Sequence, residues 1–203
     1  MPPSASTTAE RSREAGLSSE SVGLPGQAPA VALLVGRDVE LHALRKALSA
    51  RPAPIGVLLE GEAGIGKTAL WLAAIAEAEE RDLQVLTARP VEAETGLSHA
   101  ALGDLLVSVV DEVGDEIPPP QRHALDVALL RAAPEAGPVD PRAVGAATLA
   151  VLRASARRAR LALAIDDIQW LDRPSVRVLS FVLRRLTEAN VRRNHARKFS
   201  WSR

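Results

Sequence analysis

A glycine-rich segment between two apolar runs constrains the fold of this chain more than any other part of its sequence. In the stretch LLEGEAGIGKTALWL, residues 58–72, four residues separate Gly61 from the run Gly66, Lys67 and Thr68. This spacing reproduces the pattern G-x-x-x-x-G-K-[ST], in which backbone N–H groups surround phosphates, the lysine reaches the β- and γ-phosphates, and the hydroxyl group binds Mg²⁺. The segment therefore predicts a strand, a phosphate-binding loop and a helix, in that order.

The predicted nucleotide-binding residues belong to this loop, often called Walker A. An ordinary glycine-rich turn is the alternative, but the apolar strand before the loop and the helical pattern after it favour phosphate binding. Lys67 is also a predicted catalytic residue, because it contacts the terminal phosphates. The loop residues predicted to bind the nucleotide are Gly61, Glu62, Ala63, Gly64, Ile65, Gly66, Lys67, Thr68 and Ala69.

Two carboxylates follow another apolar run and supply a second candidate anchor. The run LALAI, residues 161–165, leads directly into Asp166 and Asp167. A magnesium–nucleotide site needs an acid at the end of a neighbouring strand, so Asp166 is predicted to hold Mg²⁺, directly or through water, together with Thr68. Asp167 is predicted to orient or deprotonate the attacking water. The alternative for Asp167 is a loop carboxylate that caps the next turn.

Apolar runs alternate with helical patterns along the chain and predict an α/β domain. A helix of about three turns is expected from Asp38, where two acids lie near its start. The predicted strands lie within residues 54–61, 83–90 and 161–165, and further helices are expected after Gly66, near 98–110, 120–133 and 141–159, and up to about residue 187.

Composition excludes several other classes of protein. Without cysteine there is no disulfide framework and no thiolate chemistry. No uncharged apolar run approaches the roughly 20 residues that span a membrane, so we expect a cytoplasmic protein. Residues 1–30 are rich in Ser, Pro, Gly and Ala and are predicted to be disordered. No basic aromatic patch surrounds Trp71 or Trp170, which favours core or pocket-wall positions for both.

Three segments together resemble a known family. LVGRDVEL, GEAGIGKTAL and LALAIDDIQWLDRPSVRVLSFVLRRL are similar to the nucleotide-binding domain of large LuxR-type transcriptional regulators, which are signal-transducing ATPases related to the AAA class. The resemblance covers about residues 34–187. It implies a P-loop NTPase with a doubly wound parallel sheet, ATP or ADP with Mg²⁺, and a switch between nucleotide states. It places Gly36 and Arg37 beside the adenine, and Asp166 and Asp167 in the magnesium and catalytic positions.

The family pattern stops near Thr187. There the resemblance implies another apolar strand, but the sequence continues as an arginine-rich tail. We therefore expect a truncated ATPase domain at residues 34–188, with a sheet that is incomplete at its C-terminal end, and a disordered basic tail at residues 189–203. A missing central strand would expose sheet edges and favour self-association. No helix-turn-helix follows, so DNA binding is not expected in this chain.

Three functions fit these observations. The first is an ATP-binding domain with slow hydrolysis at most. A non-catalytic interaction module would keep the nucleotide site, or its shape, without turnover. A phosphoryl transferase would use the same loop, but it would also need an acceptor pocket that the sequence does not reveal. Whether the chain hydrolyses ATP stays open at this point.

Overall fold

Short parallel strands alternate with helices along this computed structural model, which describes residues 36–50, 57–135, 137, 139–190 and 197–200. The predicted disordered leader, residues 1–30, lies outside the described residues. The helices are α1 (Asp38–Ser49), α2 (Lys67–Glu79), α3 (Ala100–Leu106), α4 (Pro119–Ala128), α5 (Pro141–Arg158) and α6 (Arg173–Asn190). The strands are β1 (Val57–Glu60), β2 (Leu83–Ala88), β3 (Arg160–Ile165) and β4 (Arg197–Ser200).

The four described strands form two parallel pairs. In the first pair β1 lies beside β4, with Val57 opposite Arg197. In the second pair β2 lies beside β3, with Ala88 opposite Ile165 at the end of the ladder. No backbone ladder joins the two pairs within the described part of the chain. Because the strands of each pair run in parallel, the residues that follow them leave from the same edge.

The strand β4 lies where the sequence predicts no strand. Residues 189–203 are polar and arginine-rich, and they lack the apolar run expected of a strand buried on both faces. The structure differs from this expectation at Arg197–Ser200, which form a strand paired with β1 through backbone hydrogen bonds. The ladder uses N–H and C=O groups that every residue except proline supplies, so side-chain polarity does not prevent it. Helix α6 also continues to Asn190, beyond its predicted end near residue 187.

Two of the predicted helices are shorter than the sequence suggests. The region predicted as a helix near 98–110 contains α3, which ends at Leu106. The residues that follow include Val107, Val109 and Val110, whose branched side chains lower helix propensity. The region near 120–133 contains α4, which ends at Ala128, and Leu130 then adopts a φ of 58°.

Two hydrophobic clusters support these elements. The larger one fills the space between α3, α4, α5 and α6 and the β2–β3 pair, and it includes the fully buried Leu102, Leu125 and Val151. The smaller one joins Leu41 and Leu44 of α1 to Leu70 and Ala73 of α2, with Val57 and Leu59 of β1 packed beside them. None of the described helices is long and apolar enough to cross a membrane.

An ion-pair group fixes α1 against α2. The carboxylate of Glu77, on α2, is buried and pairs with Arg45 of α1 and with Arg81. Burial raises the pKa of Glu77, but hydrogen bonds and charges from the two arginines outweigh it and hold the pKa below its ordinary value. Helix α2, which begins at the glycine-rich loop, is thereby held by charge as well as by the smaller apolar cluster.

Candidate nucleotide-binding site

The glycine-rich loop connects the end of β1 to the start of α2 at Lys67. Gly64 and Gly66 have φ angles of 76° and 96°, in the left-handed region that favours glycine. A Cβ atom at either position would meet no atom within 4 Å among the described residues, apart from its chain neighbours, so the backbone faces open space there. The loop therefore presents bare backbone, which phosphate groups can approach closely.

Backbone N–H groups and the N-terminus of α2 lie together at this loop. Of the residues that the structure describes, none accepts a hydrogen bond from the backbone N–H of Gly64 or Gly66. The first N–H groups of α2 have no acceptor within the helix, and its first turn contains no acid. The positive end of the helix dipole of α2 also lies at this loop. These features fit the phosphates of a nucleotide.

The side chain of Lys67 folds back over the loop. Its Nζ donates to the carbonyl oxygens of Gly61, at 3.0 Å, and Glu62, at 2.9 Å. Both acceptors are neutral, and no ion pair engages Lys67 within the described ranges. The ammonium group can exchange two carbonyl contacts for a phosphate without breaking a salt bridge.

Arg37 lies against the same loop. Its guanidinium donates from Nη2 to the carbonyl oxygen of Ile65, whose side chain is buried, and from Nη1 to Glu40 Oε1 at 2.9 Å. The segment Gly36–Arg37 is thus tied to the phosphate-binding loop just before α1 begins. Contact of these two residues with an adenine stays a prediction.

Asp166 presents a buried carboxylate that is only half satisfied. Its backbone N–H donates to the carbonyl oxygen of Ala88 at 3.1 Å and continues the β2–β3 ladder by one residue. Oδ1 accepts a hydrogen bond from the Asp167 N–H at 3.1 Å, but the buried Oδ2 has no hydrogen-bond partner among the residues that the structure describes. A buried oxygen without a donor is costly, and Mg²⁺ prefers carboxylate oxygens. The side chain therefore fits the predicted magnesium role.

Asp167 is exposed and has an unusual backbone conformation. Its φ of 42° lies in the left-handed region, which costs a non-glycine residue about 1–2 kcal/mol. Oδ1 accepts from Gln169 Nε2 at 2.8 Å, and the side chain caps no backbone N–H of the turn Ile168–Trp170. Strained residues of this kind concentrate at functional sites. The carboxylate is free to face solvent next to Asp166.

Arg89 links the carboxylate edge to helix α2. Its Nε lies 3.8 Å from Asp166 Oδ2, and its guanidinium carbon lies 5.5 Å from the ring centroid of Trp71. Trp71 is buried one helical turn after Lys67, in the core or pocket-wall position expected for it. No hydrogen bond or ion pair joins Lys67 or Thr68 directly to Asp166 in the described part of the chain.

Asp172 is a structural residue of this region whose role the sequence did not reveal. It is 2% exposed, and its carboxylate accepts from the backbone N–H groups of His99 (2.9 Å), Ser175 (2.8 Å) and Ala101 (3.3 Å). The Ser175 hydroxyl in turn accepts from the N–H of Leu102 at 3.0 Å. Asp172 therefore caps the N-termini of both α3 and α6. The segment Asp-Arg-Pro-Ser signals a helix start, but the contact with α3 is a tertiary one that periodicity cannot show.

No all-protein metal cage accompanies these residues. Within the ranges that the structure describes, no group of three or more His, Cys, Asp or Glu side chains is placed to hold a metal ion.

Parallel strands, an open glycine loop at the start of a helix and a buried strand-terminal carboxylate define the class of P-loop α/β proteins. The family model of the AAA ATPase domain matches residues 33–193, and the chain belongs to this family. Membership implies nucleotide binding, typically with Mg²⁺. The predictions of a P-loop α/β fold and of a relationship to the AAA class are therefore confirmed. Comparisons with curated proteins and with solved structures found no match.

Proposed function

We propose that this chain is the ATP-binding domain of a LuxR-type transcriptional regulator and that it binds magnesium–ATP at the loop Gly61–Thr68. The observation that carries the proposal is the open backbone of this loop at the N-terminus of α2, where the N–H groups of Gly64 and Gly66 have no acceptor in the described part of the chain. The LuxR-type assignment rests on the three sequence segments that resemble such regulators. In that setting the bound nucleotide, ATP or ADP, would set the signalling state.

Each site residue has a distinct part in this proposal. Lys67 would exchange its contacts with two loop carbonyls for the β- and γ-phosphates. Thr68 and Asp166 would hold Mg²⁺, which supplies positive charge beside the phosphate oxygens when it is bound. Gly36 and Arg37 would border the adenine, as the resemblance implies, and the hydrogen bond from Arg37 to Ile65 holds this segment at the loop.

Hydrolysis of ATP is the further step of this proposal. Asp167 follows the proposed magnesium ligand, is exposed, and accepts only side-chain and not backbone donors in its turn. It would orient or deprotonate the attacking water. We expect turnover to be slow, because the two strand pairs share no ladder in the described chain, and no hydrogen bond or ion pair joins Lys67 or Thr68 to Asp166 there. The same observation favours a second candidate, a nucleotide-binding module without turnover.

Self-association is part of the proposal. Each described strand pair has outer edges with no ladder partner in the structure. Unpaired backbone groups at such edges pair readily with another chain. A second copy of the protein would satisfy them without any change in sequence.

Isothermal titration with magnesium–ATP tests the binding proposal. Lys67→Ala should lower the affinity about tenfold to a hundredfold, since hydrogen bonds to charged groups contribute roughly 1.5–3 kcal/mol each. Lys46→Ala is the matched control, because Lys46 is an exposed lysine in the last turn of α1. Equal affinity in the two variants would refute the phosphate-loop assignment.

Phosphate release from magnesium–ATP then separates the two candidate functions. Release above the buffer blank that disappears in Asp167→Asn supports an ATPase. Binding without release supports the nucleotide-binding module.

A further inference from the structure

Arg89 and Asp166 occupy equivalent places at the ends of paired strands. Arg89 directly follows Ala88 of β2, Asp166 directly follows Ile165 of β3, and Ala88 lies opposite Ile165 in the ladder. The two side chains therefore leave the same edge of the strand pair. Arg89 Nε approaches Asp166 Oδ2 to 3.8 Å, which is an ion pair but not a hydrogen bond.

The two side chains of this ion pair differ greatly in their exposure to solvent. The Arg89 side chain is 61% exposed, whereas the Asp166 side chain is 8% exposed and its Oδ2 has no hydrogen-bond donor within the described ranges. Arg89 thus neutralises part of the charge of a buried carboxylate without satisfying the oxygen. Water can solvate the guanidinium if it leaves, so its departure is inexpensive. A small divalent cation would satisfy the oxygen better.

We propose that Arg89 is a displaceable counter-ion of Asp166, which competes with Mg²⁺ for Oδ2 and so sets the Mg²⁺ dependence of nucleotide binding. The inference rests on the proposed function, because it assigns Mg²⁺ to Asp166. Arg89 is a positioning residue that acts through this carboxylate. When Mg²⁺–nucleotide binds, the guanidinium leaves Oδ2 and changes its position over the Trp71 ring, 5.5 Å away in the present structure.

A magnesium titration at fixed ATP concentration measures this competition. Arg89→Met removes the charge but keeps an apolar side chain near Trp71, and it should lower the half-saturating Mg²⁺ concentration about twofold to fivefold, the span expected of a partly exposed ion pair. Arg89→Lys should stay close to the wild type, because it keeps the charge. Arg160→Met is the matched control, since Arg160 is an exposed arginine at the opposite end of β3.

Trp71 fluorescence supplies a readout that does not depend on turnover. In a protein whose other tryptophans are replaced, Trp170→Phe and Trp201→Phe, addition of Mg²⁺ and ATP should change the emission of Trp71. The added substitution Arg89→Met should remove most of that change. Thermal unfolding of each variant establishes that it folds, and a purely structural role would move the unfolding midpoint without moving the Mg²⁺ dependence.

The outcomes separate the inference from the proposed function. A wild-type protein that binds ATP, with the same half-saturating Mg²⁺ concentration in Arg89→Met, overturns the inference alone. A higher half-saturating concentration in Arg89→Met also overturns it. A wild-type protein that binds no magnesium–ATP overturns the proposed function and the inference with it.

Discussion

Removal of the Asp172 carboxylate should destabilise the domain more than removal of an ordinary helix cap. Asp172 accepts three backbone hydrogen bonds, and the bonds from Ala101 and Ser175 are buried. Each buried donor left without a partner costs about 1–3 kcal/mol, so the two together cost roughly 2–6 kcal/mol. The buried charge itself has a desolvation cost that the variant recovers. We therefore expect Asp172→Ala to lower the free energy of unfolding by about 3 kcal/mol.

A single helix cap in the same chain provides the comparison. Asp140 caps α5 through one exposed hydrogen bond, from the Arg142 N–H at 2.8 Å. Asp140→Ala should lower the free energy of unfolding by about 1 kcal/mol, the usual value for loss of an N-cap. Urea unfolding followed by circular dichroism gives both free energies. If Asp172→Ala costs no more than Asp140→Ala, the assignment of Asp172 as a cap shared by α3 and α6 is wrong.

Acid unfolding also tests the Asp172 carboxylate, because its pKa shift predicts the direction in which stability changes with pH. Burial raises the pKa of Asp172, but hydrogen bonds from Ser175, His99 and Ala101 outweigh it and hold the pKa below the ordinary 3.8. The carboxylate therefore stabilises the fold fully above pH 3.8, and this contribution disappears as the pH falls through the lower pKa of the folded state. The wild type should lose stability over this range, whereas Asp172→Ala should lose less. Parallel pH profiles would contradict this account.

Four further variants test the site and the sheet. Asp166→Asn should raise the Mg²⁺ concentration needed for ATP binding, whereas Asp167→Asn should bind ATP normally and release less phosphate. Isothermal titration and a phosphate-release assay distinguish the two variants. If both variants lose only ATP binding, the division of roles between the two carboxylates is wrong. Gly66→Ala should lower the free energy of unfolding, measured with urea, by about 1–2 kcal/mol, because the φ of 96° is unfavourable for a residue with a Cβ. An unchanged urea midpoint would contradict this loop conformation. Deletion of residues 191–203 removes β4 and leaves the edge of β1 unpaired, so the variant should self-associate more. Size-exclusion chromatography with light scattering measures this. A variant that is monomeric and has an unchanged thermal unfolding midpoint would refute the proposal that β4 protects this edge.

The parts of the fold that sequence reasoning predicted are those set by local pattern. The loop before Lys67 lies between a strand and a helix because glycine spacing and apolar runs act over a few residues. The strand β3 ends at Ile165, directly before Asp166, as the run LALAI indicates. Helix α5 covers Pro141–Arg158 with its cap at Asp140, since proline and aspartate mark helix starts.

The parts that it missed depend on contacts between distant segments. Arg197–Ser200 carry no strand pattern and become a strand because β1 offers a backbone edge. Asp172 contacts residues more than 70 positions earlier, at His99 and Ala101. Arg89 meets Asp166 only because β2 and β3 pair in one register. No periodicity within a short window contains such information.

The two hydrophobic clusters differ in size, and the glycine-rich loop joins two elements of the smaller one, β1 and α2. Leu41, Leu44, Leu70 and Ala73 form this cluster, whereas α5 and β3 belong to the larger cluster. Segments with fewer buried apolar contacts open at lower free energy, so backbone amides of α1, β1 and α2 should exchange with deuterium faster than those of α5 and β3. Nucleotide that binds only the closed loop would slow this exchange in proportion to its occupancy. Amide protection beside the smaller cluster would then rise with nucleotide concentration, and we expect a smaller change in the amides of α5.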